Sequence, residues 1–302
     1  MRIHVETLIR GSVDEVWRLT QTPDLHERWD LRFTSITYLP RGEGEPQRFR
    51  YATWIGLGLE IEGWGETTGE QTDGGGRTSA LRFGSDDPRS LIRAGSGYWK
   101  HEPVGDGVRF VTGYDYQVRW GVFGRALDRL AFRPFMGWAT AWSFDRLRLW
   151  IERGVEPRST GRRALIHALA GAAVAFVWLW HGMVPKLAGP HPEELAMLVD
   201  AGLAEPWVTR LTLAAGVVET AFGVAFLPLS RRRWPWLVTA ALMIAAMIGV
   251  VATSPHVAVG AFGPVSLNLS VAALAVIGLL SLGDLPSARR CRRRPPKDED
   301  RW

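Results

Sequence analysis

Four long apolar stretches crowd the second half of the chain and restrict its fold more than any other feature. They cover residues 164–184, 207–229, 235–253 and 264–283. Each holds roughly 19–23 residues, and a helix of that length, at about 1.5 Å per residue, crosses the hydrocarbon layer of a bilayer. A helix buried in the core of a large water-soluble protein can also be apolar all round, but four of them in succession are not expected there. Four successive stretches with almost no charge on any face therefore point to lipid as the solvent, and to an all-α bundle of four transmembrane helices over residues 164–285.

The basic residues fit that reading. The chain of 302 residues carries a formal net charge of +5, which by itself suits a nucleic-acid binder as well as a membrane protein. Here the arginines stand beside the apolar stretches. Arg158, Arg162 and Arg163 precede the first, Arg231-Arg232-Arg233 join the second to the third, and Arg289 to Arg294 follow the fourth. The other two connections hold only Lys186, with Arg210 just inside the second stretch. Cytoplasmic loops are the basic ones, so the pattern predicts a multi-pass cell-membrane protein with both termini in the cytoplasm. No role is left for nucleic acid. Trp178, Trp180, Trp207, Trp234 and Trp236 lie near the expected helix ends, where indoles favour the headgroup level. A single cysteine, Cys291, excludes an intramolecular disulfide and a cysteine metal cluster.

Polar groups inside apolar helices are costly, so they mark candidate sites. Glu219 sits near the middle of the second stretch, and Gly216, Glu219, Thr220 and Gly223 fall on one helical face suited to close helix approach. His167, Gly171, Val174, Trp178 and His181 form a stripe on the first helix. His181, Lys186, Arg210 and Asn268 all fall toward the outer leaflet, so Glu219, His181, Lys186, Asn268 and Arg210 are the membrane site candidates.

Three segments resemble one family. Trp180-His181-Gly182-Met183-Val184-Pro185-Lys186, Gly216-Val217-Val218-Glu219-Thr220-Ala221-Phe222-Gly223 and Phe262-Gly263-Pro264-Val265-Ser266-Leu267-Asn268-Leu269 look like the first, second and fourth helices of DoxX-like proteins. The resemblance implies a four-helix membrane fold. It allows a role as the membrane subunit of a quinone-linked oxidoreductase, with quinone as cofactor and partner subunits supplying the redox centre. The chain itself shows no flavin, haem or iron–sulfur motif.

The first half has another solvent. Ile3, Val5, Leu8 and Ile9 suggest a strand, and Ser12 followed by Glu15 is a capping box that opens a helix. A second short helix is expected between Pro23 and Asp30. Strand-like runs follow at 34–39, 48–55, 59–66, 77–83, 97–102 and 108–118, with glycine-rich turns at 42–44, 74–76 and 105–107. Strands in succession without intervening helices predict an antiparallel meander. A long helix over 125–152 closes the unit, its apolar side expected at Leu127, Leu130, Ala131, Phe135, Trp138 and Trp142, and Pro134 is expected to kink or break it.

This order, with Ser12-Val13-Asp14-Glu15-Val16-Trp17, Pro23-Asp24-Leu25-His26-Glu27-Arg28-Trp29-Asp30 and the run from Trp138 to Leu147, resembles the helix-grip fold of the START-like, polyketide-cyclase-like superfamily. The expected fold class is thus an α+β helix-grip domain over 1–152, a basic linker over 153–163, the transmembrane bundle over 164–285 and a basic, disordered tail over 286–302. Such domains enclose an apolar cavity, so an apolar small molecule is the expected partner besides the lipid bilayer. Phe110, Thr112, Tyr114 and Tyr116 share a strand face, and with Trp138 and Trp142 they are the candidate pocket residues. No acid–base pair, triad or metal site stands out, which favours a binder that is not an enzyme by itself.

Overall fold

The computed structural model describes residues 2–56, 58–260 and 263–295. It divides into two compact units, one of residues 1–161 with 286–302 and one of residues 162–285. Phe262 and the charged run 297–300 read from the sequence lie outside the described residues.

The first unit is built on seven strands: β1 (Ile3–Ile9), β2 (Ser35–Tyr38), β3 (Arg48–Gly56), β4 (Leu59–Asp73), β5 (Gly76–Gly84), β6 (Ile92–Val104) and β7 (Gly107–Val118). They pair antiparallel in the order β1-β7-β6-β5-β4-β3-β2. The meander runs from β2 to β7, and β1 closes beside β7 with Val5 opposite Thr112. Between β1 and β2 lie α1 (Val13–Gln21) and α2 (Pro23–Trp29). Half of the expected capping box is present, since the Glu15 amide donates to Ser12 Oγ at 3.1 Å.

After β7 come α3 (Gly121–Leu127), one wide π-type turn (Asp128–Phe132) and α4 (Arg133–Arg153). The single long helix expected over 125–152 is therefore interrupted. Pro134 has no N–H to donate one turn back, and the backbone widens just before it. A π-type turn adds about one residue, which rotates everything before it by about 100° relative to α4. The helix is broken beside Pro134 as expected, but the residues expected to form its apolar side are not the ones the sheet buries. Ala139, Ala141, Phe144 and Leu147 of α4 are buried against the sheet, whereas Leu130, Phe135 and Trp138 are exposed. The core joins Phe144 to Trp29, Phe110, Val5, Ile9 and Val16.

The second unit contains the rest of α5 (Pro157–Gly182), a π-type turn at Met183–Leu187, α6 (Pro192–Asp200), α7 (Glu205–Leu229), α8 (Trp234–Thr253), the single turn α9 (Pro255–Ala258) and α10 (Pro264–Leu280). Three helical runs are long and apolar enough to cross a membrane: Pro157–Leu187, Glu205–Leu229 and Trp234–Thr253. The fourth apolar helix, Pro264–Leu280, is shorter. The expected small-residue face of α7 is used. A Cβ on Gly216 would come within 2.9 Å of Gly182 O and Lys186 Cβ, and one on Gly223 within 2.8 Å of Leu179 Cγ. Hydrogen at these positions lets α5 and α7 meet almost backbone to backbone.

Two of the five tryptophans expected at the headgroup level are core residues instead. Trp236 is fully buried and lies over Gly278, where a Cβ would meet its ring at 2.0 Å. Trp178 is buried too, its Nε1 donating to Thr239 Oγ1 at 3.1 Å. Trp180, Trp207 and Trp234 remain exposed. His167 accounts for the lower end of the α5 stripe, with Nδ1 3.1 Å from Ser281 Oγ.

The segment expected as a basic linker is helical from Pro157 onward, after Gly154 ends α4 in the left-handed conformation at φ 65°. The tail expected to be disordered is ordered as far as Arg292. Arg292 and Glu6 exchange both backbone hydrogen bonds at 2.9 Å, so the tail adds a bridge to the outer edge of β1. The Ser287 amide donates to Asp145 Oδ2 at 2.7 Å, and Cys291 is buried with its Sγ donating to Ala141 O at 3.2 Å. Burial pushes the Cys291 thiol up to about 12. Composition suggested disorder here; a buried carboxylate on α4 and an open sheet edge supply the partners that composition cannot reveal.

Candidate functional site

The concave face of the sheet and α4 enclose a cavity of about 720 Å³. Its walls are mostly apolar, among them Phe33, Ile36, Phe49, Leu81, Phe83 and Met136. One end of the sheet forms the mouth, with the β3–β4 hairpin on one side and the start of α3 on the other. The volume is in the range of pockets that hold a drug-sized organic molecule.

Of the six pocket residues expected from the sequence, Thr112 and Tyr114 line this cavity. Phe110 shares their strand face but lies deeper, stacked on Phe144 at 4.3 Å between ring centres. Tyr116 is withdrawn from the space because its hydroxyl donates to Asp128 Oδ1 at 2.7 Å. Trp138 and Trp142 stack on one another at 6.1 Å and do not line the cavity, whereas Met136 and Ala139 of the same helix do.

The polar feature of the cavity was not visible beforehand. His26 and Arg32 line it, joined through Asp30, whose side chain is wholly buried. Arg32 Nε donates to Asp30 Oδ1 at 2.9 Å and Nη2 to Oδ2 at 2.6 Å. His26 Nε2 lies 3.0 Å from Oδ2. Burial alone would raise the Asp30 carboxyl, but the Arg32 charge and the bonds from His26 and Arg32 outweigh it and hold the group well below the usual carboxylate range. Asp30 is then an acceptor, so the His26 proton sits on Nε2. Burial lowers His26 from its ordinary value and keeps the ring neutral near pH 7. Tyr114 closes the group. The Thr140 hydroxyl donates to Met136 O at 2.8 Å, which leaves Tyr114 to donate to Thr140 Oγ1 at 2.9 Å.

A sequence signal for half of this network exists: His26 on α2 and Asp30, the residue that caps its C-terminus, are four residues apart. Arg32 lies past the end of that helix, and only the turn into β2 brings it back. Arg146 of α4 fixes the turn by donating to Trp29 O and Arg28 O, each at 3.0 Å, and to Pro157 O at 2.8 Å. The first two are carbonyls that the end of α2 leaves unpaired.

His101, beside the cavity wall, has Nε2 2.9 Å from Thr20 Oγ1 and is buried. Burial pushes its pKa down from 6.5 to about 4. Between those values the unfolded chain takes up a proton that the folded chain refuses, so stability falls as pH drops from 6.5 to about 4 and levels off below. The effect is on the order of 3 kcal/mol. Thermal melting of the first unit, followed by near-ultraviolet circular dichroism, should show a downward slope in that window, and His101→Phe should flatten it. An unchanged slope in the variant would assign the acid lability to other groups.

In the second unit the structure brings three of the five membrane candidates together. Lys186 is buried, with Nζ 3.0 Å from Glu219 Oε2 and 3.4 Å from the His181 carbonyl. The π-type turn that contains Pro185 carries Lys186 back over α7. Glu194 of α6 joins the group at 3.4 Å from Nζ, a partner the sequence did not suggest. Arg210 is exposed and lies over the Trp207 ring at 5.7 Å, outside the cluster. Asn268 is half-buried on α10 and has no side-chain hydrogen bond to a described residue. Among the described residues no cluster of His, Cys, Asp and Glu could hold a metal ion.

Residues 175–276, which include this cluster, match the DoxX-like family. A second match covers both units. The chain is 44% identical over 211 residues to "Uncharacterized membrane protein YndG" of Bacillus subtilis strain 168, covering 69% of this chain and 77% of the relative. The chain belongs to the YndG family. Its first unit is similar to solved structures at low scores. They include the Zhui aromatase/cyclase of Streptomyces sp. R1128 (13% identity, 52% of this chain, 98% of that one, TM-score 0.39). A STAR-related lipid transfer protein of Xanthomonas axonopodis is another (16% identity, 50% and 86%, TM-score 0.38). The helix-grip description rests on the strand order and on α4 itself. This member of the family is a membrane protein that pairs a helix-grip unit with a DoxX-like domain.

Proposed function

We propose that this membrane protein binds a hydrophobic small molecule in its first unit, on the cytoplasmic side, and acts without catalysis of its own. The observation that carries the reading is the apolar cavity of about 720 Å³ with a single buried polar station, Asp30–Arg32–His26. A solid core has no reason to keep such a space, and packing it would stabilise the fold. The ligand chemistry that fits is a lipid-like or polyketide-like body with one polar group for Arg32 and Tyr114.

The cytoplasmic placement draws on the arginine pattern and on one further fact. Residues 1–161 and 286–302 belong to a single compact unit, so the chain leaves that unit and returns to it. An even number of crossings satisfies that requirement, which favours α10 as a fourth span. Its 17 residues are at the short end of the range for a crossing helix.

The test uses the full-length chain. Purified in mild detergent and analysed by native mass spectrometry, it should carry an apolar molecule of defined mass. Ala139 lines the cavity, and Ala139→Trp should abolish most of that occupancy with secondary structure intact. An empty wild-type cavity, or equal occupancy in the variant, would sink the reading.

A second reading is favoured by the Lys186–Glu219 pair. Buried charge within a DoxX-like domain suits proton handling in the membrane subunit of a quinone-linked oxidoreductase. Quinone-dependent activity unaffected by Glu219→Gln would count against it.

A further inference from the structure

The segment that supplies Trp120, Leu127 and Phe132 to the cavity wall also carries large apolar side chains that no part of the first unit covers. Val122 is 75% exposed, Phe123 70% and Leu130 80%. Trp54 and Ile55 at the end of β3 are 61% and 58% exposed, and both line the cavity, as do Trp120 and Phe135. These residues come from one end of the sheet. The last residues of β3, β5 and β7 and the first of β4 and β6 meet there, while the β4–β5 and β6–β7 turns lie at the other end. A water-soluble protein rarely keeps such a set in contact with solvent without a partner.

The charge on the rim selects the partner. The segment from Arg119 to Arg133 holds four arginines and one acid, Asp128. Asp128 is buried and bound by Tyr116 and Arg133. Arg125 and Arg129 are exposed, and neither pairs with a carboxylate among the described residues. Exposed aliphatic and aromatic groups between free arginines describe an element that lies at the interface of an anionic bilayer. A protein partner of matching shape would need acidic groups set against Arg125 and Arg129. The anionic membrane offers both chemistries everywhere, and α5 keeps the unit covalently tied to one. The backbone also commits energy to presenting this rim. Trp120 is held in the left-handed region at φ 63°, and a Cβ on Gly124 would overlap the Arg119 carbonyl at 1.8 Å.

We infer that the apolar rim formed by Trp54, Ile55, Val122, Phe123 and Leu130 inserts into the anionic lipid surface, so that the cavity opens into the bilayer and not into water. The ligand would then pass between membrane and cavity without crossing the aqueous phase. The inference rests on the ligand reading for its purpose, but its test needs no ligand.

Cys291 is the chain's one cysteine and is buried, so a cysteine placed on the rim can be labelled selectively. Full-length Val122→Cys and Phe123→Cys, labelled with the environment-sensitive dye NBD, are assembled into nanodiscs of phosphatidylglycerol and phosphatidylcholine. Asp106→Cys, in the β6–β7 turn at the opposite end of the sheet, is the control. Labels at 122 and 123 should emit at shorter wavelength and lose most of their intensity when doxyl-labelled lipids are included, while the label at 106 does neither. Labels at 122 and 123 that emit as in water overturn the inference. So do blue-shifted labels that doxyl lipids do not quench, since a protein would then cover the rim. An occupied cavity with unquenched labels defeats this inference alone, and quenched labels on a chain with an empty cavity defeat the ligand reading alone.

Discussion

Lys186→Met should be the most damaging single substitution in the DoxX-like domain, with a loss of about 3–5 kcal/mol of stability in detergent or bilayer. The ammonium bonds to Glu219 at 3.0 Å and to Glu194 at 3.4 Å. Its removal leaves the Glu219 carboxylate, which is about four-fifths buried, without its cation. Glu219→Gln should cost less, because Lys186 keeps Glu194. The double variant Lys186→Met, Glu219→Leu should recover most of the loss, since a well-packed apolar pair in place of a buried ion pair is often neutral or better. Thermal stability of the detergent-solubilised chain, read as the temperature at which the monodisperse gel-filtration peak is lost, distinguishes the variants. If single and double variants melt together, the pair is not what holds α7 against the turn after α5.

Arg32→Met should have a comparable effect in the first unit, again about 3–5 kcal/mol. Asp30 can regain neutrality by taking a proton, so the cost in this variant is that of moving the carboxyl from far below its usual range to above it, where burial alone would hold it. The loss should therefore shrink as pH is lowered, since acid supplies the proton that the missing guanidinium made unnecessary. Asp30→Asn combined with Arg32→Met should be markedly more stable than Arg32→Met alone at pH 7. Melting curves of the three proteins at pH 5 and pH 7 provide the comparison. A pH-independent loss equal in the single and double variants would show that Arg32 contributes through packing on Phe33 and Tyr114 rather than through Asp30.

Much of this architecture is legible in the sequence because its signals are local. Lipid demands uninterrupted apolar helices, and alternation with glycine turns marks the strands of the meander within a few residues. Gly216 and Gly223 announce a close approach because nothing else explains two glycines on the face that bears Glu219. Information is lost where the chain depends on distant partners. Trp138 and Trp142 were expected in the pocket, but α4 lines it with Met136 and Ala139 and leaves the two tryptophans stacked on one another. Arg210 was expected in the outer-leaflet polar set with His181, Lys186 and Asn268 on the strength of membrane depth alone. Depth does not fix the direction of a side chain, and the guanidinium turns to Trp207. The Asp30–Arg32 pair spans a helix end and a turn, and neither obeys a spacing rule.

The bridge between Arg292 and Glu6 also bears on how the molecule is made. Synthesis delivers β1 well before its outer neighbour, which follows only after the apolar helices α5, α7, α8 and α10 have been translated. Until then the outer edge of β1 offers free backbone donors and acceptors, the template on which aggregation starts. The nascent chain thus carries an unsealed sheet through the whole of membrane insertion, and a ribosome that stops short of residue 292 releases a product whose soluble unit is still open.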